Sequence, residues 1–457
     1  MADPSAANEP PLPDRDALAA RGLAARTRLP LADHALWKPS DRQADPVELI
    51  AEQATTRIPE LVPVRHGRMA VSPATFYRGA ALPMAADLAR HPNSGLKVQL
   101  GGDAHLSNFG LFASPERDLL FDMNDFDETL VGPFEWDVKR LATSCVVAAR
   151  GRGFAAHEAK HAAHEAVRSY RERIAAYAAM SAMDIYYSRV DVAEIMEFVD
   201  KRARPYLTST VKAATHHDAL AAFAKLTAVD EDGSLHLVDR PPTMFHSPLV
   251  EAAGPYDALR HYRSTLQEDR RQLFDRFRLV DAAIKVVGVG SVGLGAVLVL
   301  MIEGASGAPL FLQVKEAEAS VLERFLSKSP FDNPGERVVA GQRRLQAASD
   351  VMLGWTHGRR GHHVYVRQLH DQKGSAVMEA MTPRDLRTWA LLCGWALARG
   401  HARSGDPASI AAYLGGDDTF DRALGDFAVA YADQTERDYT AFTAAIKAGT
   451  LEARSGV

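Results

Sequence analysis

The chain has 457 residues, 47 % of them apolar and 24 % charged, ordinary proportions for a soluble globular protein with room for two or three domain-sized units. A formal charge of −5 and a pI of about 6.4 speak against the basic field of a nucleic-acid binder. The two cysteines, Cys145 and Cys393, lie far apart, which excludes a disulfide framework or a thiolate zinc site and fits a reducing cytosol.

Residues 1–40 read as a polar, proline-containing arm with little core of its own, and Met1 to Pro13 lack the apolar stretch of a secretory signal. From about 41 to 95 the pattern is mostly helical and includes an arginine-rich stretch, Arg65 to Arg78. Residues 97–127 predict short strands at Leu96–Leu100, Phe109–Phe112 and Leu119–Met123, with a turn at Ser114-Pro115. Alanine, arginine and glutamate at helical spacing fill 134–225. Asp-Gly, Pro-Pro and Gly-Pro signals make 228–256 read as loops, and a charged helix is expected over roughly 257–279. The texture then turns to valine, leucine and glycine, predicting three strands over 281–316. A helix at about 334–349, a strand at His363–Gln368 and helices from about 382 to 453 complete the chain. The expected fold is α+β, a small β-rich island inside a mainly helical protein. The longest apolar run, Ala296 to Ile302, is far too short to span a bilayer, so the expected location is the cytoplasm, without a membrane partner.

Two segments near residue 100 carry the strongest chemistry. The first is Gly102-Asp103-Ala104-His105-Leu106-Ser107-Asn108, and the second is Phe121-Asp122-Met123-Asn124-Asp125-Phe126-Asp127. An aspartate followed five residues later by an asparagine, then a strand ending in Asp-Phe-Asp, is the acid layout of phosphoryl transfer. One acid receives the acceptor's proton, while the asparagine and a second acid hold Mg²⁺, a hard cation usually shared between one or two protein groups and the nucleotide phosphates.

The β-rich island carries Gly288-Val289-Gly290-Ser291-Val292-Gly293. A dinucleotide fold would require a helix after these glycines. Here another strand follows, Gly295 to Ile302, which is the geometry of a hairpin folded over phosphates. The next strand, Leu310 to Lys315, ends in a lysine placed to reach the α- and β-phosphates and in need of a carboxylate partner. Glu336, opening the helix after Asp332-Asn333-Pro334-Gly335, is the expected partner; Glu316 and Glu323 are nearer but are expected to face away or lie on a linker. The alternative is a tight glycine hairpin with a surface lysine.

Taken together, these motifs resemble the bacterial family called domain of unknown function 2252. The resemblance runs over most of residues 45–410. It rests on Arg65-His66-Gly67-Arg68-Met69, Ser72-Pro73, Tyr77-Arg78-Gly79, Gly102 to Gly110, Phe121 to Glu128, Gly132 to Asp137, Gly288 to Gly293, Lys315 and Gly394 to Asp406. That family name carries no activity. The catalytic segment also resembles the aminoglycoside phosphotransferase type of kinase, whose H-G-D-x-H-x-x-N form is met here with Gly101 in place of the leading histidine. Counting from Asn108 matches the metal-binding acid of D-F-G to Asp122; counting back from Trp136-Asp137-Val138 matches it to Asp125, which also keeps the local form. Asp125 is therefore taken as the metal ligand, with Asp122 and Asp127 as supporting groups or a second metal site. In ordinary kinases the glycine hairpin and lysine precede the catalytic loop. Here they follow it by nearly two hundred residues, and the helix ending Leu397 to Arg403 resembles the one that normally leads into that loop. The resemblance thus implies a protein kinase-like bilobal fold, circularly permuted. It would comprise an arm (1–40), a helical large-lobe segment with the catalytic and metal-binding loops (41–280), a β-rich small lobe (281–375) and a closing helical large-lobe segment (376–457).

The implied function is an ATP- and Mg²⁺-dependent phosphotransferase. Asp103 is the base, with His105 orienting its loop; Asn108 and Asp125 bind Mg²⁺; Lys315 held by Glu336 grips the phosphates. Gly288, Gly290, Ser291 and Gly293 cover them, and backbone from Gln368 to His370 meets the adenine. Partners are the nucleotide and an unidentified small-molecule or protein acceptor, and the oligomeric state is not readable. AMP transfer by the same groups and a nucleotide-binding regulator without turnover are the alternatives. A third is a zinc hydrolase through His157-Glu158-Ala159-Lys160-His161, a formal H-E-x-x-H on a helix that also reads as a solvated face. Asp137 is expected to anchor the catalytic-loop backbone from a helix start. The Arg65 to Arg78 stretch is expected either to bind an anion or to pair with the surrounding carboxylates.

Overall fold

A computed structural model describes residues 13–215, 219–241, 243–247, 255–286, 292–293, 295–358, 362–369 and 374–454. At 54 % helix and 16 % strand the protein is a mixed α+β structure. Five helices precede the first strand: α1 (Arg15–Arg28), α2 (Pro46–Ala54), α3 (Val62–Met69), α4 (Pro73–Gly79) and α5 (Ala81–Leu88). Four strands follow, β1 (Lys97–Leu100), β2 (Phe109–Ala113), β3 (Leu119–Met123) and β4 (Leu130–Pro133). Then come α6 (Glu135–Gly151), α7 (Ala156–Ala178), α8 (Ala182–Tyr187), α9 (Val192–Phe198), α10 (Arg204–Thr215) and α11 (Ala219–Leu226). The middle holds β5 (Thr227–Val229), β6 (Leu235–Leu237), β7 (Met244–Phe245), α12 (Pro255–Thr265) and α13 (Glu268–Phe274). The large strands are β8 (Phe277–Lys285), β9 (Ala296–Glu303) and β10 (Pro309–Ala317), with α14 (Pro334–Leu345), β11 (Gly354–His357), β12 (His363–Gln368) and β13 (Gly374–Ser375) behind them. Helices α15 (Pro383–Ser404), α16 (Pro407–Leu414) and α17 (Thr419–Lys447) close the chain.

Six strands form one antiparallel sheet in the order β11-β12-β10-β9-β8-β7. Both of its faces are covered. Leu298, Leu300 and Ile302 of β9 pack with Leu226 and Leu237 on one side. Val299 and Met301 pack with Tyr262, Leu266 and Phe274 on the other. A strand buried on both faces loses the apolar–polar alternation, which is why Ala296 to Ile302 reads as a continuous apolar run. The sheet also reaches further back than the change of texture at 281. The expected loops of 228–256 include β5, β6 and β7, and the charged helix expected to 279 ends at Phe274, with β8 starting at Phe277. Arg278, Asp281 and Lys285 give β8 the charge of a surface helix, but pairing with β9 makes it a strand.

The largest core joins β1–β4 to α5, α6, α7, α15 and α17, around Phe109, Phe121, Phe126, Trp389 and Trp395. Each such side chain contributes about 1.5–3 kcal/mol on burial. Helix α15 starts at Thr382, whose hydroxyl accepts the Asp385 N–H, and lies so close to α7 that a Cβ at Gly394 would fall 2.1 Å from the Ala166 carbonyl oxygen. Its far end meets β1. The Gln99 N–H donates to Ser404 Oγ at 3.2 Å, and a Cβ at Gly405 would lie 2.6 Å from Val98. Residues 13–40, expected to carry little core, instead place Ala25, Leu31 and Trp37 in it. Helix α1 rests on α16 at Gly22, where a Cβ would fall 2.1 Å from the Ser409 carbonyl oxygen. Among the described residues no helix is long and apolar enough to cross a membrane.

Candidate active site

The segment between β1 and β2 is held from three sides. Asp137, in the first turn of α6, accepts the N–H groups of Gly101 at 2.7 Å and Gly102 at 3.0 Å, the loop-anchoring role expected for it. His401 of α15 sits 3.3 Å from the same carboxylate. Gly102 has φ +83°, and a Cβ there would fall 2.1 Å from the Glu128 carbonyl oxygen, so this position requires glycine twice over. Asn108 donates from Nδ2 to the backbone oxygens of Asp103 (2.9 Å) and Asp125 (3.2 Å), tying the loop to the turn after β3. Both bonds use the amide nitrogen and leave Oδ1, a hard donor, for another partner. His105 is buried 3.5 Å from Asp103 Oδ2; burial pulls its pKa down to about 4, so the imidazole is neutral at neutral pH.

The acids of the β3 turn face different ways. Asp122 is buried in an ion pair with Arg399 of α15 at 2.7 Å and also accepts the Ala347 N–H at 2.9 Å. Its oxygens are spent on structure, away from the cleft. Asp127 lies 2.7 Å from Lys315 Nζ and accepts the Tyr365 hydroxyl at 2.7 Å. Asp125 lies 3.4 Å from the same lysine, with its side chain 42 % exposed. Partial burial would raise its pKa, but Lys315 and Arg367 outweigh that and hold the carboxyl below its usual value. Burial would lower the Lys315 pKa, and Asp125 and Asp127 overcome it, so the ammonium stays charged.

The expected pairing of Lys315 with Glu336 does not form. In the first turn of α14, Gly335 lies against β12, where a Cβ would fall 2.4 Å from the Val364 carbonyl oxygen. The inward residue beside it is Arg337, not Glu336. Arg337 donates to the backbone oxygens of Thr129 (2.6 Å), Asp127 (2.8 Å) and Glu318 (2.8 Å), bracing the acid turn from behind. Glu336 is half-buried with no hydrogen bond or ion pair to Lys315. The acids that meet Lys315 are 188 and 190 positions away.

Of the glycine-rich segment, Gly288, Gly290 and Ser291 lie outside the described residues. Gly293 has φ +93°, its carbonyl accepts the Ile58 N–H at 2.9 Å, and Arg57 donates to the Val292 carbonyl at 2.5 Å. A segment between α2 and α3 therefore holds Val292 and Gly293, the described end of the glycine-rich segment. Arg57, Asp127, Glu128, Glu316 and Glu318 border a cleft of about 580 Å³ beside the acid turn. The backbone N–H of Gln368 donates to Asp350, and the cavity against it has room for about one water (≈ 30 Å³). His370 lies outside the described residues.

Sequence reasoning missed Arg140, Arg337, Tyr365, Arg367 and Arg399. Arg140 could have been found: it lies three positions after Asp137 on one helix and so shares its face. His157 and His161 are exposed on α7; His161 faces Glu165 at 3.5 Å, and Glu158 accepts the Ala155 N–H at its own helix start. His362 pairs with Glu316, while His216 and His217 lie outside the described residues. Among the described residues no three His, Cys, Asp or Glu side chains gather as a metal cage, which leaves the zinc alternative without a third ligand. Asn108 Oδ1 and the partly exposed Asp125 carboxylate, on two segments tied together by Asn108, are oxygen donors of the hard type that Mg²⁺ takes alongside phosphate oxygens.

A family model described as "Uncharacterized protein conserved in bacteria (DUF2252)" matches residues 57–445. No curated protein and no solved structure matches the chain.

Proposed function

The chain belongs to the family of domain of unknown function 2252, and we propose that it is an ATP- and Mg²⁺-dependent phosphotransferase on a permuted, kinase-like bilobal fold. The observation that carries this reading is the meeting of Lys315, on the six-stranded sheet, with Asp125 and Asp127, on the turn tied by Asn108 to the Asp103 loop. The order of parts along the chain supports it: a glycine-rich connection between β8 and β9, the lysine on β10, then helix α14. The contact between the end of α15 and β1 supports the permutation, because a chain that ran from Gly405 into Lys97 would restore the usual kinase order with little rearrangement.

In this reading Lys315 grips the phosphates, exchanging part of its pairing with Asp125 for a nucleotide oxygen. Asn108 and Asp125 would hold Mg²⁺, which when bound neutralises charge on the transferring phosphoryl group. Asp103 receives the proton of the acceptor hydroxyl. Tyr365 and Arg337 keep Asp127 in place while Lys315 changes partner. A cleft of about 580 Å³ lies in the range of small-molecule sites.

Melting curves with ATP, ADP and Mg²⁺ test the reading directly. A hundred-fold excess over the dissociation constant should stabilise the chain by about 2.7 kcal/mol. Lys315→Ala and Asp125→Ala should lose most of that gain, the second through loss of the metal. Asp103→Ala should keep it but lose ATP hydrolysis, about 10²–10⁴-fold. A chain whose melting is indifferent to every nucleotide, with or without divalent metal, is not this enzyme.

A further inference from the structure

We infer that Arg140 is the positioning residue of the base, fixing Asp103 so that one carboxylate oxygen alone is turned to the acceptor. The inference rests on the phosphotransferase reading above and assigns a role that reading does not need.

Arg140 lies one turn beyond Asp137 on α6, so one helix holds both the backbone of the catalytic loop and its acid. Its Nε and Nη2 are each 2.5 Å from Asp103 Oδ1, a charge-assisted contact. The guanidinium is 3 % exposed and stacks 4.3 Å from the centroid of the Tyr77 ring. Nη2 also donates to the Tyr77 carbonyl at 2.9 Å, and the Tyr77 hydroxyl donates back to the Arg140 carbonyl at 2.9 Å. Nη1 lies 3.6 Å from the Met84 sulfur. Every nitrogen of the guanidinium thus has a neighbour among the described residues. Among the described residues Asp103 Oδ2 has only the neutral His105 ring, 3.5 Å away, and the side chain keeps 21 % exposure.

The same contacts give the arginine-rich stretch a purpose. Tyr77 belongs to it and forms the shelf on which Arg140 lies. Arg65 is fully buried and donates to the Gln53 side chain and to the Gly79 carbonyl, at 2.9 Å each. It braces the end of the helix that carries Tyr77, rather than facing a bound anion. From Arg65 through Gly79, Tyr77 and Arg140 the contacts run without a break to Oδ1 of the base.

A double-mutant cycle on ATP hydrolysis tests this. Arg140→Gln should lower turnover about 10²-fold, the cost of a base misplaced by about an ångström, while the nucleotide-dependent melting shift is unchanged. In an Asp103→Asn background the same substitution should change the residual rate less than about two-fold, because Arg140 then has no base to position. Tyr77→Phe keeps the arginine but loosens its seat. It should give a smaller fall of the same kind, and it carries the test if Arg140→Gln does not fold. Equal losses in both backgrounds, wild-type turnover in Arg140→Gln and Tyr77→Phe, or loss of the melting shift would each overturn the inference. A wild-type chain that neither responds to ATP nor hydrolyses it removes the phosphotransferase reading itself, and the inference with it.

Discussion

On the flank of the site that faces α15, Asp122 meets Arg399 at 2.7 Å with side-chain exposures of 3 % and 0 %. On the flank that faces the six-stranded sheet, Asp127 meets Lys315 at the same 2.7 Å but is 22 % exposed, and Asp125 beside it is 42 %. The separations are equal and the solvent is not. A fully desolvated pair has no replacement for either partner, so it is strongly committed to one arrangement. In the second pair the cation is just as desolvated, with Lys315 at 3 % exposure, but two carboxylates share it and both reach solvent, so the ammonium is not committed to one oxygen. One run of acids, Asp122 to Asp127, therefore builds a closed pair with its first member and an open, shared contact with the rest.

Three measurements can break or sharpen that contrast. The largest effect should come from Asp122→Ala, which leaves the buried Arg399 charge with the Leu345 carbonyl but without its carboxylate. It should cost about 3–5 kcal/mol of stability in denaturant unfolding. A loss under about 1 kcal/mol would mean that the closed flank is no more committed to its partners than the open one. His105 comes next. Its folded pKa of about 4 lies below the ordinary 6.5 of an unfolded histidine. Between those values the unfolded chain binds the proton and the folded chain does not, so stability falls as pH drops from about 6.5 to about 4 and is untouched above that window. His105→Gln should remove on the order of 2 kcal/mol of that fall, read as the difference between urea midpoints at pH 4.5 and 7.5. An identical pH dependence in both proteins would put water beside the imidazole. The smallest effect belongs to Glu336→Ala, expected to stay within about 0.5 kcal/mol of wild type and to leave the nucleotide response intact. Loss of that response would show that Lys315 leaves Asp127 for Glu336 when nucleotide binds, making the open flank a two-state element.

Local chemistry made part of this site legible. Asp137 could be read as the anchor of the Gly101-Gly102 backbone, and Asp103 and Asn108 placed on the loop it holds, because a helix start, glycine turns and a D-x-x-x-x-N spacing are short-range signals. The meeting of Lys315 with the acid turn was readable only through resemblance, since nothing local in Leu310–Lys315 says what it will face. Glu336 was misread because charge sign was used without the helix face: the close approach of Gly335 to β12 is what decides which neighbour turns inward. Arg337 and Arg399 gave no signal, because a buried arginine in an alanine- or valine-rich helix looks like a solvated one until its partner is known. The start of the sheet was missed for a related reason, the charges on β8 imitating a surface helix. Residues 13–40 were taken for an arm because alanine and glycine bury well without adding much apolar character to a sequence.

The ion pair of Asp122 with Arg399 spans 277 positions. Ribosomes add about 5–20 residues per second, so the acid-bearing hairpin emerges about 14–55 s before the arginine that neutralises it. During that interval β2 and β3 must carry an uncompensated carboxylate among apolar neighbours, and the strands cannot reach their final packing. This core can close only once α15 has emerged, and a nascent chain stalled before α15 should remain protease-sensitive throughout the β1–β4 region, however much of its helical structure has already formed.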